Sequence, residues 1–329
     1  MIITQTPLRV SFLGGGSDYP EHFLQHGGAT LATTINRYCL VSVHPVTSFS
    51  DHTYRIHYSK VESVGSIDEI QHPSARECLR AAKVEKGVEI HYLNDLPART
   101  GLGSSSAATV GLLRALHAFQ GHQITREELA AQAVQVERDL IQERVGYQDQ
   151  YASTFGGFLH LQFGKEGRIQ VDPVPMKADR MRDVRASLLL LYTGLQRTAH
   201  EVLEEQIDRT KSGTLTSELN TLKDLANDGV ALLAGSKPLT EFGELLHQGW
   251  VIKRRLSTKV SDPRIDNLYE KARKAGVIGG KLLGAGSGGF LLLLAPPERH
   301  AAVLAALPEL RLVDFDFEPS GSTTIFYRP

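Results

Sequence analysis

A run of glycines and hydroxyl residues stands directly before an apolar helical pattern in the first third of the chain. The run reads Pro97-Ala98-Arg99-Thr100-Gly101-Leu102-Gly103-Ser104-Ser105-Ser106, and the helical pattern covers residues 107–119. N–H groups at the start of a helix have no partner inside the helix, and the helix dipole adds partial positive charge there. Such a turn suits the binding of a phosphate. The run therefore predicts a nucleotide-dependent enzyme, and a plain capped helix is the alternative.

Two carboxylates follow within the next fifty residues. On a helical wheel Glu137 falls in an apolar stripe formed by Leu129, Ala130, Ala133, Val134, Val136, Leu140 and Ile141. A buried carboxylate is costly unless it is paired, so Glu137 must meet an arginine, a metal ion or water in a cleft. An internal ion pair and a metal ligand both stay open at this point. Asp149 lies in a predicted loop, where an aspartate usually serves the turn itself.

A second glycine-rich segment lies near the end of the chain, at residues 279–289. It contains a literal G-x-G-x-x-G from Gly284 to Gly289, but the residues that follow are typical of a strand. The dinucleotide-binding fingerprint must open a helix after a strand, so that interpretation is rejected. The glycine density predicts instead that the backbone closely approaches another group.

Composition excludes several classes of function. The 329 residues are 41% apolar, and 36 basic residues nearly balance 37 acidic ones, so no net field favours nucleic acid or an anionic membrane. The apolar runs are too short for a bilayer, and no signal peptide is recognisable. Only Cys39 and Cys78 are present, which suits a reducing cytoplasm. The motifs of zinc proteases, serine hydrolases and P-loop nucleotide-binding proteins are absent from the sequence.

The elements that must position these residues alternate between strands and helices. Strands are predicted over residues 2–12, 38–45, 88–93, 158–163, 188–192, 290–295 and 323–327. Helices are predicted near residues 20–26, 107–119, 200–211, 215–233, 240–253, 263–275 and 298–306. A further helix is predicted to begin at a capping box formed by Thr125 and Glu128 and to end at Gly146. The proline- and charge-rich stretch 172–183 is the best candidate for a boundary between two domains. The pattern predicts a two-domain α+β protein.

Three motifs in this order resemble the signatures of the GHMP kinases, which transfer the γ-phosphoryl group of ATP to a small molecule. The first is Pro7-Leu8-Arg9-Val10-Ser11-Phe12-Leu13-Gly14-Gly15-Gly16-Ser17-Asp18-Tyr19, the second is Gly101 to Ser106, and the third is Gly284-Ala285-Gly286-Ser287-Gly288-Gly289-Phe290. The resemblance covers nearly the whole chain. Within the family, the resemblance is greatest to the branch that phosphorylates the anomeric hydroxyl of D-glycero-D-manno-heptose 7-phosphate. The stretches that carry this likeness are residues 137–138, 145–152, 192–194, 249–253 and 280–282.

The resemblance implies a fold and a location for the site. The implied α+β fold has an N-terminal ribosomal protein S5 domain 2-like domain over residues 1–180 and a C-terminal ferredoxin-like domain over residues 181–329. ATP and the sugar would bind in the cleft between them, with Mg²⁺ as cofactor. A sugar or sugar phosphate would be the substrate. The composition predicts a cytoplasmic protein that binds neither nucleic acid nor a membrane, and a homodimer is left open.

The resemblance also assigns roles to individual residues. Asp149 would accept or orient the proton of the anomeric hydroxyl, and Arg9 would lie beside it and keep it ionised. The phosphates would be wrapped by Gly101, Leu102, Gly103, Ser104, Ser105 and Ser106, and Mg²⁺ would be held by Glu137 with Ser105 or Ser106. Substrate would be bound by Gly14, Gly15, Gly16, Ser17, Asp18, Tyr19, Gly284, Gly286 and Ser287. Arg197 and Lys253 are candidates for a distal phosphate. Arg99 departs from the family pattern.

Two alternatives stay open beside this hypothesis. The chain could be another small-molecule kinase of the same family, similar to a galactokinase, a fucokinase or a mevalonate kinase. It could also be a relative that binds a metabolite without catalysis, because one fold supports many functions. The presence of Arg9, Glu137 and Asp149 argues against the second alternative, since binding alone needs no base beside a phosphate site.

Overall fold

Two β-sheets organise the part of the chain that the computed structural model describes. That part comprises residues 1–47, 49–98, 100–195, 200–286 and 288–328, without the side chains of residues 200 and 201. Eight strands form the first sheet: β1 (Ile2–Leu13), β2 (Gly28–Pro45), β3 (Tyr54–His57), β4 (Val61–Val64), β5 (Val88–Asn94), β6 (Phe158–Phe163), β7 (Ile169–Pro173) and β12 (Thr323–Tyr327). Four strands form the second: β8 (Leu188–Tyr192), β9 (Gly279–Leu282), β10 (Phe290–Leu294) and β11 (Arg311–Val313).

The long strand β2 is the centre of the first sheet. Its first half pairs with β6, its second half pairs with β5, and β1 runs antiparallel along most of its length. The order β12-β1-β2-β5-β3-β4 continues the sheet, in which β3 and β5 are parallel. The second sheet has the order β11-β8-β10-β9 and is antiparallel throughout.

Eleven α-helices of the described residues cover these sheets. They are α1 (Pro20–His26), α2 (Pro73–Ala81), α3 (Ser104–Phe119), α4 (Arg126–Gln135), α5 (Gln148–Phe155), α6 (Ala178–Ser187), α7 (His200–Lys211), α8 (Thr216–Ala234), α9 (Leu239–Leu256), α10 (Pro263–Lys274) and α11 (His300–Ala306). The helix α3 lies close against the first sheet at Gly111, where a Cβ would come within 2.8 Å of Thr6 Oγ1. No helix in this part of the chain has both the length and the apolar character that crossing a membrane requires.

The sequence predicted most of these elements, some with the observed bounds. The helices α1 and α7, the strand β12 and the capping box of Thr125 and Glu128 are confirmed. The helix α3 begins three residues earlier than the apolar pattern, at Ser104. The helix that was expected to reach Gly146 ends at Gln135, because the chain continues through a π-helical turn over Val136–Leu140.

The missed elements share a weak hydrophobic pattern. The first half of β2 is buried on both faces and therefore shows no alternation. The helix α5 buries a polar face that includes Gln148, Gln150, Ser153 and Thr154, so no apolar stripe marks it. The stretch 172–183, predicted as a boundary, contains the end of β7 and the start of α6. Few side chains of α6 are buried, so its periodicity is weak.

The two halves of the chain share one hydrophobic core. Phe12 of β1 is fully buried, stacks on Phe158 of β6 with centroids 5.8 Å apart, and meets Phe242 of α9 edge-on at 5.6 Å. The strand β12 also returns to the first sheet and pairs with β1. The division into 1–180 and 181–329 therefore stays a prediction, and residues 323–327 lie in the sheet of the N-terminal half. Both cysteines are buried and free, as expected without a disulfide framework.

Candidate active site

An ion pair between Arg9 and Asp149 lies at the centre of the candidate site. Arg9 Nε and Nη2 donate to the two carboxylate oxygens of Asp149, each at 2.7 Å, which is the bidentate geometry of a strong pair. Asp149 lies in the first turn of α5, so the loop predicted for it is wrong. The Arg9 side chain is 5% exposed and that of Asp149 is 27% exposed. The carboxylate therefore keeps one open side on which an acceptor could approach.

The glycine-rich run lies directly against this pair. Arg9 Nη1 donates to the Gly101 carbonyl at 2.5 Å, and the Arg9 N–H donates to the Leu102 carbonyl at 2.9 Å. Gly103 adopts left-handed backbone at φ 72°, and a Cβ there would come 3.0 Å from Arg9 Cγ and 3.4 Å from Asp149 Oδ2. The Leu102 side chain is fully buried, so this residue has only backbone to offer a nucleotide. The run, β1 and α5 thus meet at one point.

The first turn of α3 suits an anion. The cap residue Gly103 provides no side chain, and no acidic residue stands in the first turn. Ser104 and Ser106 are buried, whereas Ser105 is exposed at the helix start. A helix start without a side-chain cap directs its N–H groups and its positive dipole end outward, which favours phosphate. The start of α3 is therefore compatible with the phosphate site that the sequence predicts, and its role stays a prediction.

Glu137 is buried against Ser106, which is one of its two predicted serine partners. It is 1% exposed; its Oε2 accepts from Ser106 Oγ at 2.8 Å and from Gln150 Nε2. Its Oε1 is buried and has no hydrogen-bond partner among the described residues, and the same holds for Oε1 of Gln150. Burial raises the pKa of Glu137 to about 7, and the Ser106 hydrogen bond opposes this shift. No cationic side chain in the described part of the chain pairs with Glu137, so the ion-pair alternative lacks a partner.

These residues fit a hard divalent cation. Glu137 has an unpaired carboxylate oxygen, and its other oxygen contacts a serine hydroxyl and an amide whose own oxygen is unpaired; Mg²⁺ prefers such oxygen ligands. Gln150 has no assigned role in the sequence prediction. Its only sequence signal is its position beside Asp149, because its contact with Glu137 depends on how α5 and the π-helical turn pack.

The first motif contributes a buried carboxylate. Asp18 Oδ1 accepts from the Gly16 N–H at 2.9 Å and Oδ2 from the Gln148 N–H at 3.2 Å, so Asp18 holds the start of α5 rather than that of α1. Burial raises the pKa of Asp18, and Asp149 also raises it. Tyr19 is half-buried beside both carboxylates, and burial raises its pKa as well. Asp18 and Tyr19 therefore adjoin the Arg9–Asp149 pair.

The other substrate residues predicted in this motif have internal contacts. The Ser17 hydroxyl, fully buried, donates to the carbonyls of Gly14 and Ala29. A Cβ on Gly14 would come 1.9 Å from the Ala29 carbonyl oxygen, so this glycine permits chain packing. Gly16 faces side chains of the C-terminal half, and Gly15 is half-buried with no such close neighbour. In these positions Ser17 and Gly14 shape the loop and offer no free group to a sugar.

The sequence predicts that the backbone of the second glycine-rich segment closely approaches another group, and in the structure that group is the first glycine-rich run. A Cβ on Gly101 would come 2.4 Å from the Leu283 carbonyl oxygen, and one on Gly284 would come 2.4 Å from Gly101 Cα. Gly286 lies equally close to the backbone of Val260. Close backbone packing thus explains why positions 284 and 286 are both glycine. Ser287, Arg99 and Arg197 lie outside the described residues.

Two buried lysines complete the site. Lys253 of α9 donates to the carbonyls of Gly284 and Leu282, and Lys281 of β9 donates to the Phe12 carbonyl at 3.0 Å. Burial lowers the pKa of Lys253 to about 8, and Arg9 lowers it further. Burial lowers the pKa of Lys281 well below its ordinary value, with Lys253 as the next cause. Lys281 has no role in the sequence prediction, although a charged residue within an otherwise apolar strand is the same kind of signal that indicated Glu137.

Comparison with known proteins agrees with this geometry. The family model described as the GHMP kinases N terminal domain matches residues 71–157, and the model described as GHMP kinases C terminal matches residues 230–310. A D-glycero-alpha-D-manno-heptose 7-phosphate kinase of Campylobacter jejuni is 28% identical over 97% of this chain and 97% of that protein. The bifunctional fucokinase/GDP-fucose pyrophosphorylase of Arabidopsis thaliana is 26% identical over 91% of this chain, which spans only 30% of that protein.

A solved structure supports the fold. The crystal structure of a D-glycero-D-manno-heptose 1-phosphate kinase from Bacteriodes thetaiotaomicron superposes with a TM-score of 0.82 at 24% identity and covers 100% of both chains. The two sheets and the site between the glycine-rich segments define a small-molecule kinase. The chain belongs to the GHMP kinase family. It is an ATP-dependent sugar kinase with the predicted two-part α+β fold.

The buried Lys253 predicts a specific pH dependence of stability. Its pKa is about 8 in the folded protein and 10.5 as an ordinary lysine, so between these values the unfolded chain binds more protons. Stability that depends on Lys253 therefore rises with pH in this window. Relative to Lys253→Met, we expect the free energy of unfolding of the wild type to rise by about 1–2 kcal/mol between about pH 7.5 and 9.5, measured by urea denaturation.

The exposed Lys237 provides the matched control for this experiment. Its side chain is 70% exposed, and Lys237→Met should show a constant difference from the wild type over the same pH range. A constant difference for Lys253→Met as well would contradict the burial of a charged lysine at this position.

Proposed function

We propose that this kinase transfers the γ-phosphoryl group of ATP to the anomeric hydroxyl of D-glycero-D-manno-heptose 7-phosphate and so forms the 1,7-bisphosphate. The observation that carries the proposal is the position of Asp149. Its carboxylate is held by Arg9 and lies against Gly103, at the start of α3 where the nucleotide phosphates are expected. A base beside a phosphate site serves phosphoryl transfer to a hydroxyl.

The proposal assigns the phosphates of ATP to the segment from Gly101 to Ser106. Gly101 and Gly103 carry positive φ and pack against neighbours, so this loop has one well-defined shape. The N–H groups of the first turn of α3, from Ser104 to Ser106, would donate to phosphate oxygens. Leu102 would contribute backbone only, since its side chain is in the core.

Glu137 and Ser106 are the proposed ligands of Mg²⁺, with the exposed Ser105 beside them. When bound, the cation neutralises charge on the phosphates and makes the terminal phosphoryl group easier to transfer. Gln150 would hold Glu137 in place through the hydrogen bond from its amide nitrogen to Oε2. The unpaired Oε1 atoms of Glu137 and Gln150 support this assignment.

The transfer step needs one proton acceptor and one charge-stabilising group. The anomeric oxygen attacks the γ-phosphorus, the bond from that phosphorus to the bridging oxygen breaks, ADP leaves, and the hydroxyl proton passes to Asp149. An anomeric hydroxyl is more acidic than an ordinary alcohol, so a carboxylate of modest basicity suffices. Arg9 would orient Asp149 by its two hydrogen bonds and offset negative charge on the phosphoryl group in flight.

The acceptor sugar is proposed to lie beside Asp18 and Tyr19. Asp18 has used one lone pair of each oxygen for backbone N–H groups, which leaves acceptor capacity for sugar hydroxyls. Lys253 interacts electrostatically with Arg9, Asp18 and Asp149, so it lies at the reacting end of the site. Its charge therefore suits the migrating phosphoryl group better than a phosphate at the far end of the sugar.

The choice of a heptose phosphate rests on the Campylobacter relative, which shares nearly its full length with this chain. A fucokinase-like activity on an unphosphorylated sugar is the second candidate, since the Arabidopsis relative matches over most of this chain. A coupled assay of ADP release with heptose 7-phosphate, free heptose, L-fucose, galactose and mevalonate separates them.

We expect kcat/KM to be at least about 100-fold higher for heptose 7-phosphate than for any unphosphorylated sugar. Phosphorus NMR should then place the new phosphate on the anomeric carbon. A higher value for a free sugar would favour the fucokinase-like alternative. Absence of ADP release with every acceptor would favour the alternative that the chain binds a metabolite without catalysis.

Replacement of the proposed base gives a direct test of the mechanism. Asp149→Asn keeps the shape and one acceptor for Arg9 but removes the basic oxygen. We expect kcat to fall by at least about 100-fold. The melting temperature should also fall, because the buried Arg9 guanidinium loses its counter-charge, so turnover is compared at a temperature at which circular dichroism shows both proteins folded. The exposed Asp139 on the π-helical turn provides the control, and Asp139→Asn should retain activity. Near-normal turnover of Asp149→Asn would eliminate the base assignment.

Replacement of the proposed metal ligand tests the role of Glu137. Glu137→Gln retains a hydrogen-bond acceptor for Ser106 but loses the charge that would hold Mg²⁺. The Mg²⁺ concentration for half-maximal activity should rise by about tenfold or more. Glu127 is exposed on α4, so Glu127→Gln should leave the titration unchanged. An unchanged titration for Glu137→Gln would instead indicate a structural role.

A further inference from the structure

A cluster of three histidines and one glutamate lies on the first sheet, on elements that take no part in the candidate active site. His44 is on β2, His57 on β3, and Glu89 and His91 on β5. Along these strands the neighbouring Val43, Ile56 and Ile90 are fully buried in the core. Because side chains alternate between the two faces of a sheet, the four cluster residues share the opposite, partly open face.

Strand register brings the four side chains together. His44 is the partner of Glu89 across β2 and β5, and His57 is the partner of His91 across β3 and β5. Glu89 Oε1 lies 2.7 Å from His57 Nε2 and 3.0 Å from His91 Nε2, and Glu89 Oε2 lies 3.8 Å from His44 Nε2. The rings of His57 and His91 stack with centroids 4.0 Å apart. Three imidazoles thus converge on one carboxylate.

The ring of His44 is held in the orientation of a metal ligand. Its Nδ1 lies 3.3 Å from the Pro45 carbonyl oxygen. A carbonyl oxygen accepts only, so Nδ1 carries the hydrogen and Nε2 presents its lone pair to the cluster. Metal-binding histidines commonly donate their other ring nitrogen to a carbonyl in this way.

We propose that His44, Glu89 and His91 form a binding site for a transition-metal dication of the zinc class, with His57 positioning Glu89. The ligand atoms of these three residues lie within 4.8 Å of one another. A tetrahedral zinc site with bonds of about 2.0–2.2 Å places its ligands roughly 3.3 Å apart, so small side-chain rotations complete it. Imidazole ligands favour zinc, nickel or copper over Mg²⁺ or Ca²⁺.

The surroundings are compatible with a cation. The four side chains are between 18% and 35% exposed, so an ion can enter from solvent. Arg55 lies opposite Glu89 in register and adds one positive charge nearby, but in the described part of the chain the ion-pair partners of Glu89 are the three histidines. Three protein ligands leave a coordination position open to water or to a group of another molecule.

The experiment is a titration of the full chain with ZnCl₂, followed by calorimetry, and with CoCl₂, followed by visible absorption. We expect one saturable equivalent of zinc and a cobalt spectrum typical of four- or five-coordination. The double variant His44→Gln/His91→Gln should bind zinc at least about 100-fold more weakly, and His57→Gln about tenfold more weakly. Kinase activity without added zinc should be unchanged in the double variant.

The controls distinguish this site from other histidines and from the active site. His122 is exposed in the loop after α3, so His122→Gln should bind zinc like the wild type. Glu137→Gln should also retain the zinc site, because the inference does not rest on the proposed function. The inference would be overturned if the wild type bound no saturable zinc, if the double variant bound it normally, or if Glu137→Gln abolished binding.

Discussion

The relative position of β1, the glycine-rich run and α5 depends on the burial of the Arg9 guanidinium. A buried charge must be paired, because removing it from water without a partner costs several kcal/mol, of the order of the whole stability of a domain. Arg9 meets this requirement by contacting Asp149 on α5 and the carbonyl of Gly101, and its N–H bonds the Leu102 carbonyl. One side chain thus holds β1, the glycine-rich run and α5 in a single arrangement.

The second half of the chain shapes the same run from the other side. Gly101 and Gly284 pack backbone against backbone, and a Cβ on Gly289 would come 2.1 Å from the Thr100 carbonyl oxygen. Contacts of this kind leave no room for a Cβ on the glycine. The glycine-rich run is therefore shaped in part by backbone contacts with the second half of the chain. These contacts explain why its glycines and those near residue 284 lie together although they are far apart in sequence.

The sequence predicted this site to the extent that its signals are local. A glutamate within an apolar stripe is visible in the sequence, and Glu137 is buried as that pattern required. Asp149 looked like a loop residue because the start of its helix is held by Asp18, which lies far away in the sequence. The partner approached by Gly284 and the contact between Gln150 and Glu137 are likewise long-range. Propensity and periodicity carry no information on such contacts, whereas the family resemblance brought most of these residues together.

The charged groups of the site are not equally stable in their charged forms. The buried cations Arg9, Lys253 and Lys281 lie near the carboxylates of Asp18 and Asp149, whereas Glu137 is buried without a cationic partner among the described residues. Burial shifts the pKa of Lys253 to about 8 and that of Glu137 to about 7, so each is pushed toward its neutral form. An anionic phosphate beside the lysines would favour their charged form, because an opposite charge nearby opposes the effect of desolvation. We infer that the site is electrostatically incomplete without its substrates. The binding of phosphates there would favour the charged form of both lysines.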